Sequence, residues 1–88
     1  MWFIRLGKMT EAPTKEFQQW VNQKRAEGEK WGIKFHEVFI TLGQFDVVSI
    51  FEAPDEKVAM RYSQSLAPRI SGPTLVGLSR DEVFSWYK

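Results

Sequence analysis

Hydrophobic and polar positions alternate along this chain with a period that switches repeatedly between two and about 3.6, and each switch marks an element. Trp2-Phe3-Ile4-Arg5-Leu6 is a short apolar, aromatic run that predicts a first strand. Thr10 and Pro13 then open a helix, since threonine caps free N–H groups and proline fits a first turn. Phe17, Trp20, Val21 and Lys24 follow at i, i+3, i+4 and i+7, an apolar stripe with a lysine stem at its margin. Gly28 weakens this helix and Gly32 ends it after Trp31. From Ile33 the period is two, and Gly43-Gln44 connects this second strand to a third, Asp46 to Phe51, as a hairpin. Ala53-Pro54-Asp55-Glu56 ends the third strand and begins a second helix with Asp55 as N-cap. Its stripe is Val58, Ala59, Tyr62 and Leu66, and Pro68 closes it. Gly72-Pro73 turns the chain into a fourth strand, Thr74 to Leu78. Ser79 and Glu82 have capping-box spacing, so a short helix carrying Val83, Trp86 and Tyr87 ends the sequence.

The order β-α-β-β-α-β predicts an α+β, ferredoxin-like fold: a four-stranded antiparallel sheet, strand order 4-1-3-2, with two helices on one face. Strand parity then divides the sheet. Ile4, Leu6, Val38, Ile40, Val48, Ile50, Val76 and Leu78 form an apolar set suited to lie beneath the helices. The opposite set is Phe3, Arg5 and Gly7; Phe35, Glu37, Phe39 and Thr41; Val47, Ser49 and Phe51; Leu75, Gly77 and Ser79. Uncovered, so aromatic a face exceeds the few hundred Å² that soluble monomers expose. Its simplest cover is the same face of a second copy, which encloses a barrel-like interior. Phe3, Phe35, Phe39, Val47, Phe51 and Leu75 are therefore the expected dimer interface. Arg5, Glu37, Thr41 and Ser49 would line the interior, either holding the polar end of a ligand or, for Arg5 and Glu37, neutralising each other.

Composition narrows the classes of function. A chain of 88 residues forms one domain, here residues 1–88, and hides only about 60–65% of its unfolded surface, so self-association would help it. Twelve basic residues against eleven acidic ones give a net charge of +1, which argues against nucleic acid or an anionic membrane as partner. With no cysteine there is no disulfide, iron–sulfur cluster or thiolate site, and one histidine makes no multi-histidine metal site. No cofactor is expected. The N-terminus has Arg5 after only a few apolar residues, too short for a signal segment, and no apolar run approaches a membrane span, so a cytoplasmic location is the expectation.

Thr41-Leu42-Gly43-Gln44-Phe45-Asp46-Val47-Val48, followed by Glu52-Ala53-Pro54-Asp55, resembles the GYD domain family, in which a Gly-x-Tyr-Asp signature joins the second and third strands. Lys30, Gly32 and Lys34 before the second strand and Thr10 after the first are also similar. The resemblance spans most of the chain, with about a dozen residues carrying its specific part. It implies a ferredoxin-like domain related to dimeric α+β barrels, a group with ligand-binding proteins and cofactor-light oxygenases. It brings no established reaction with it. Phe45 stands where the signature has tyrosine, and Val76 and Leu78 replace threonines of the last strand, although Thr74 is nearby. The aromatic tail Val83–Lys88 is a further departure. These differences bear on a shared active site more than on a shared fold.

Asp46, beside Gly43, is suited to fix the hairpin through backbone N–H groups, or to face a ligand at a pocket mouth. His36 has neither acid nor nucleophile at a recognisable spacing and reads as a partly exposed structural residue. Three functions follow. One is a homodimeric domain binding a small molecule through Arg5, Glu37, Ser49, Thr41, Phe39 and Asp46. A second is an oxygenase- or isomerase-type enzyme in which Arg5, Glu37 or His36 assists proton transfer. The third, an RNA-binding module of the same topology, ranks last because Asp46 to Phe51 lacks the basic aromatic run it needs.

Overall fold

Strand β1 (Trp2–Met9) runs through the sheet's centre in the computed structural model, which describes residues 1–88. Helix α1 (Lys15–Lys30) leads to a hairpin of β2 (Lys34–Ile40) and β3 (Val47–Glu52). Helix α2 (Glu56–Leu66), β4 (Ile70–Ser71), β5 (Thr74–Gly77) and a short α3 (Arg80–Ser85) complete the chain. The path β2-β3-β1 is antiparallel, and β4 and β5 share the other edge of β1. The ferredoxin-like order expected from the sequence is present. The last strand alone differs, because the turn at Gly72-Pro73 splits it into two pieces on one edge.

Local chemistry explains the boundaries. Thr14, not Thr10, caps α1, its hydroxyl accepting from the Phe17 amide at 3.3 Å. Gly32 ends that helix at φ 94°, left-handed backbone that favours glycine. Asp55 caps α2 through the Val58 amide at 2.9 Å, and Ser79 caps α3 through the Glu82 amide at 3.2 Å. Gly43 sits at φ 102° in the β2–β3 connection. That connection is fastened to β1: the Asp46 carboxylate accepts from the Met9 amide at 2.8 Å, and the Asp46 amide donates to Gly7 O at 2.8 Å. Thr41 closes the loop on itself by donating to Phe45 O at 2.7 Å. Asp46 and Thr41 thus serve the hairpin.

The register corrects the expected faces of β1 and β3. Across the sheet, Val76, Phe3, Phe51 and Phe35 form one rung and Thr74, Arg5, Ser49 and Val38 the next, both toward the helices. Phe3 and Phe51 are core, packed with Phe17, Tyr62, Leu66 and Ile70. The rings of Phe3 and Phe35 lie 5.5 and 5.8 Å from that of Phe51, and Tyr62 meets Phe51 edge-on at 5.8 Å. Phe3, Phe35, Phe51 and Val47 therefore do not belong to an open dimer face. In β1 and β3 both parities are apolar, so the polar residues Arg5 and Ser49 set the expected direction, and it is the reverse of the observed one. Val38, Ile40 and Val76 lie toward the helices and Phe39 and Leu75 away from them, as expected.

A bulge between Phe35 and Glu37 explains the mixture within β2: it keeps Phe35 beneath the helices yet turns Glu37 and Phe39 outward. The open face consequently carries the rungs Leu75-Ile4-Ile50-Glu37 and Leu6-Val48-Phe39. At its margin stand Trp2, Glu52 and Lys34.

The corrected register has a measurable consequence. Phe51→Ala should lower the unfolding free energy in a denaturant titration by about 3–5 kcal/mol. Leu42→Ala, at a fully exposed side chain, should change it by under about 0.5 kcal/mol. A loss below about 1 kcal/mol at Phe51 would place its ring outside the core.

Candidate functional site

The second helix-facing rung is polar at its centre. Arg5 is only 4% exposed, and Ser49 beside it is also buried. A strand centred under two helices would ordinarily carry an apolar residue here, since a buried cation without partners costs several kcal/mol. The guanidinium is met by neutral oxygens alone. Nη2 donates to Ile70 O at 2.7 Å, and Nη1 makes longer contacts with Thr74 Oγ1 at 3.3 Å and Gly72 O at 3.4 Å. Nε is buried and without a hydrogen-bond partner. Desolvation pulls the Arg5 pKa below the usual arginine value. Thr74 is itself held by Ser63 of α2, oxygen to oxygen at 2.7 Å.

Above this rung the helices do not close completely on the sheet. A cleft of about 230 Å³ opens there, its floor made by Arg5, Ser49, Val38 and Val47. Tyr62 and Leu66 of α2 and Val21, Asn22 and Arg25 of α1 form its walls, with Phe35 and Ile70 at the ends. An adjoining, more apolar cleft of about 200 Å³ runs under α1 toward Met9 and Pro13 and shares Val21, Asn22, Val38, Val47 and Ile70 with the first. Burial pushes the Tyr62 phenol up to about 12, against the opposing pull of Arg5 and Arg25. At neutral pH it is therefore an uncharged hydroxyl. Arg25 lies across the Phe35 ring at 5.1 Å and reaches Glu29 at 3.9 Å. The cleft combines apolar walls with a few polar groups, the ordinary constitution of a small-molecule site.

The structure separates the residues that the sequence suggested as one site. Arg5 and Ser49 share the cleft, whereas Glu37 and Phe39 lie on the opposite side of the sheet. Arg5 and Glu37 therefore make no pair. Thr41 and Asp46 belong to the hairpin loop. His36, at the bulge, stacks on Trp2 with ring centroids 4.4 Å apart and contacts Glu52 Oε1 at 2.7 Å, also on the open face. Arg5, Glu37 and His36 do not converge on a common reacting centre, and no group of three His, Cys, Asp or Glu side chains is placed to hold a metal. Tyr62, Asn22 and Arg25 were missed by sequence reasoning. Tyr62 had a usable signal: a polar-tipped aromatic within the buried stripe of α2.

The Tyr62 environment predicts a pH effect of definite sign. The folded chain keeps the phenol proton where the unfolded chain, titrating near 10, has released it. The corresponding stability is present below about pH 10 and is lost as pH rises toward 12, by about 2–3 kcal/mol in all. Denaturation of wild type and Tyr62→Phe across that range checks it. The wild type should lose stability relative to the variant, and parallel profiles would contradict burial of the phenol.

A model of the GYD domain family matches residues 3–82. Comparison with curated proteins and with solved structures finds no match.

Proposed function

The chain belongs to the GYD domain family, and from that premise we propose that it is a homodimeric domain that binds a small molecule in the cleft between its helices and sheet. The observation that carries this reading is the polar rung Arg5–Ser49 set beneath otherwise apolar walls. A purely structural domain of this size gains most by filling such a space, because an open interior forfeits packing contacts. The cleft replaces the space between paired sheets as the ligand site. The open face is then free for assembly.

That face has the constitution of an interface, an apolar centre with a charged rim. Ile4, Leu6, Val48, Ile50, Leu75 and Phe39 make its centre, and Lys34, Glu37 and Glu52 stand along one margin. Phe39 is 52% exposed and Leu75 46% in the single chain. A second copy supplies a face of the same shape, and two sheets packed in this way enclose the barrel-like dimer that the family resemblance implies.

Each half of the proposal has its own measurement. In sedimentation equilibrium the wild type should be a dimer at micromolar concentration, and Phe39→Asp combined with Leu75→Asp should be a folded monomer. A monomeric wild type, or a double variant that still dimerises, overturns the assembly. For the cleft, a panel of small aromatic fragments followed by amide NMR should shift Val21, Ser49, Tyr62 and Leu66 together. Fragments that perturb only the open face, or nothing, overturn the ligand site.

A further inference from the structure

We propose that the cleft's occupant is a small organic monoanion, a carboxylate carried on a compact apolar body, with Arg5 as its charge partner. This rests on the cleft being a ligand site and adds what the ligand must be. The chief observation is a missing counter-charge. Arg5 is 4% exposed, yet its three hydrogen-bond acceptors are two backbone carbonyls and a threonine hydroxyl. None of the eleven residues lining the cleft is acidic, and two of them are arginines. A protein that buries a guanidinium normally pairs it with a carboxylate, since the charge otherwise stays uncompensated in a medium of low dielectric. Here the chain supplies no such carboxylate. The carboxylate comes with the ligand.

The shape of the group points the same way. A guanidinium has five N–H donors in a rigid fork, and three contacts leave two of them without an acceptor. A planar carboxylate matches that fork and makes shorter, stronger bonds than a neutral oxygen. Ser49 and Tyr62 add hydroxyl donors beside it, and Tyr62 keeps its proton at neutral pH. Arg25 at the mouth is held only by a ring face and a 3.9 Å contact to Glu29, so it can turn toward an entering anion. Arg5 is the one buried charge among these walls, while Arg25 keeps Glu29 within 3.9 Å, so the cleft suits one negative charge. Inorganic phosphate has no apolar body to set against the walls above the guanidinium.

Volume limits the remainder of the molecule. An apolar cavity of about 150 Å³ accommodates benzene, so the 230 Å³ here takes a single ring or a branched chain plus its carboxylate. The adjoining 200 Å³ under α1 admits an apolar extension.

The test uses benzoate, its neutral isostere benzamide and inorganic phosphate, titrated into the full chain at neutral pH and followed by amide NMR and calorimetry. Benzoate should shift Ser49, Tyr62 and Val21 and bind about tenfold or more tightly than benzamide. Phosphate should not bind there. Arg5→Gln, which retains donors for the surrounding carbonyls, should abolish the preference for benzoate. Arg25→Gln, at a half-exposed side chain on the cleft wall, should weaken benzoate severalfold and benzamide less; it probes the charge preference even where Arg5→Gln does not fold. Equal binding of benzoate and benzamide, or a preference unaltered by these variants, overturns the anion while the cleft remains a ligand site. Phosphate binding in place of benzoate also overturns it. No binding by any probe overturns both readings.

Discussion

A guanidinium held away from water by two helices sets the terms for the rest of this small domain. Arg5 cannot be left alone beneath α1 and α2, and its neighbours are arranged accordingly. Its donors go to Ile70 O, Gly72 O and Thr74 Oγ1, all in the segment that returns along the edge of β1. That segment bends at Gly72-Pro73, which turns two carbonyls toward the cation and divides the last strand into β4 and β5. Ser63 reaches Thr74 from α2 and ties the second helix to the same cluster. One polar residue thus fixes an edge of the sheet, the position of a helix and the floor of the cleft.

Much of the architecture was legible because local signals and global fold agree. The order of elements, the caps at Asp55 and Ser79, the positive φ at Gly43 and the stripe of α2 are all short-range chemistry. The assignment of faces was not, for a specific reason. In β1, Phe3 and Ile4 are equally apolar, as are Ile50 and Phe51 in β3, so alternation gives no direction and arginine alone points to a wet side. The sheet inverts that expectation because carbonyls from a distant turn solvate the guanidinium. Sequence distance conceals such partners: Ile70 lies 65 residues from Arg5. The bulge at His36 left no signal either, since both neighbours are compatible with a continuous strand. Of the candidate site, Arg5 and Ser49 could be named in advance, but Asn22 and Arg25 looked like any polar residues on a solvated helix face.

The two sides of the sheet divide their chemistry. Toward the helices lie the buried cation, a neutral phenol and a space bounded by aliphatic side chains. On the other side lie apolar rungs and a margin where Trp2, His36 and Glu52 meet. Combinations such as Arg5 with Glu37, which alternation along a strand made attractive, are separated by the thickness of the sheet. The family signature serves neither side directly. Asp46 secures the loop after β2 to the end of β1 and Thr41 closes that loop on itself, and the phenylalanine at position 45 leaves those contacts intact, its backbone carbonyl being the atom Thr41 uses.

Gly7 follows Arg5 by two positions and faces the same layer. A Cβ at this site would lie 2.7 Å from Ile70 Cγ2 and 2.8 Å from Val47 Cγ1, both on side chains that border the two clefts. The bare backbone lets these two side chains settle against the strand, and their depth decides how much room is left above them. Position 7 therefore acts as a mechanical stop for the chamber without touching its contents. A methyl group there would lift Ile70 and Val47 into the void, narrowing it from below while Arg5 and Ser49 keep their own places in the sheet. For the anion proposed above, size and charge would be set by different residues, so either property could change without the other.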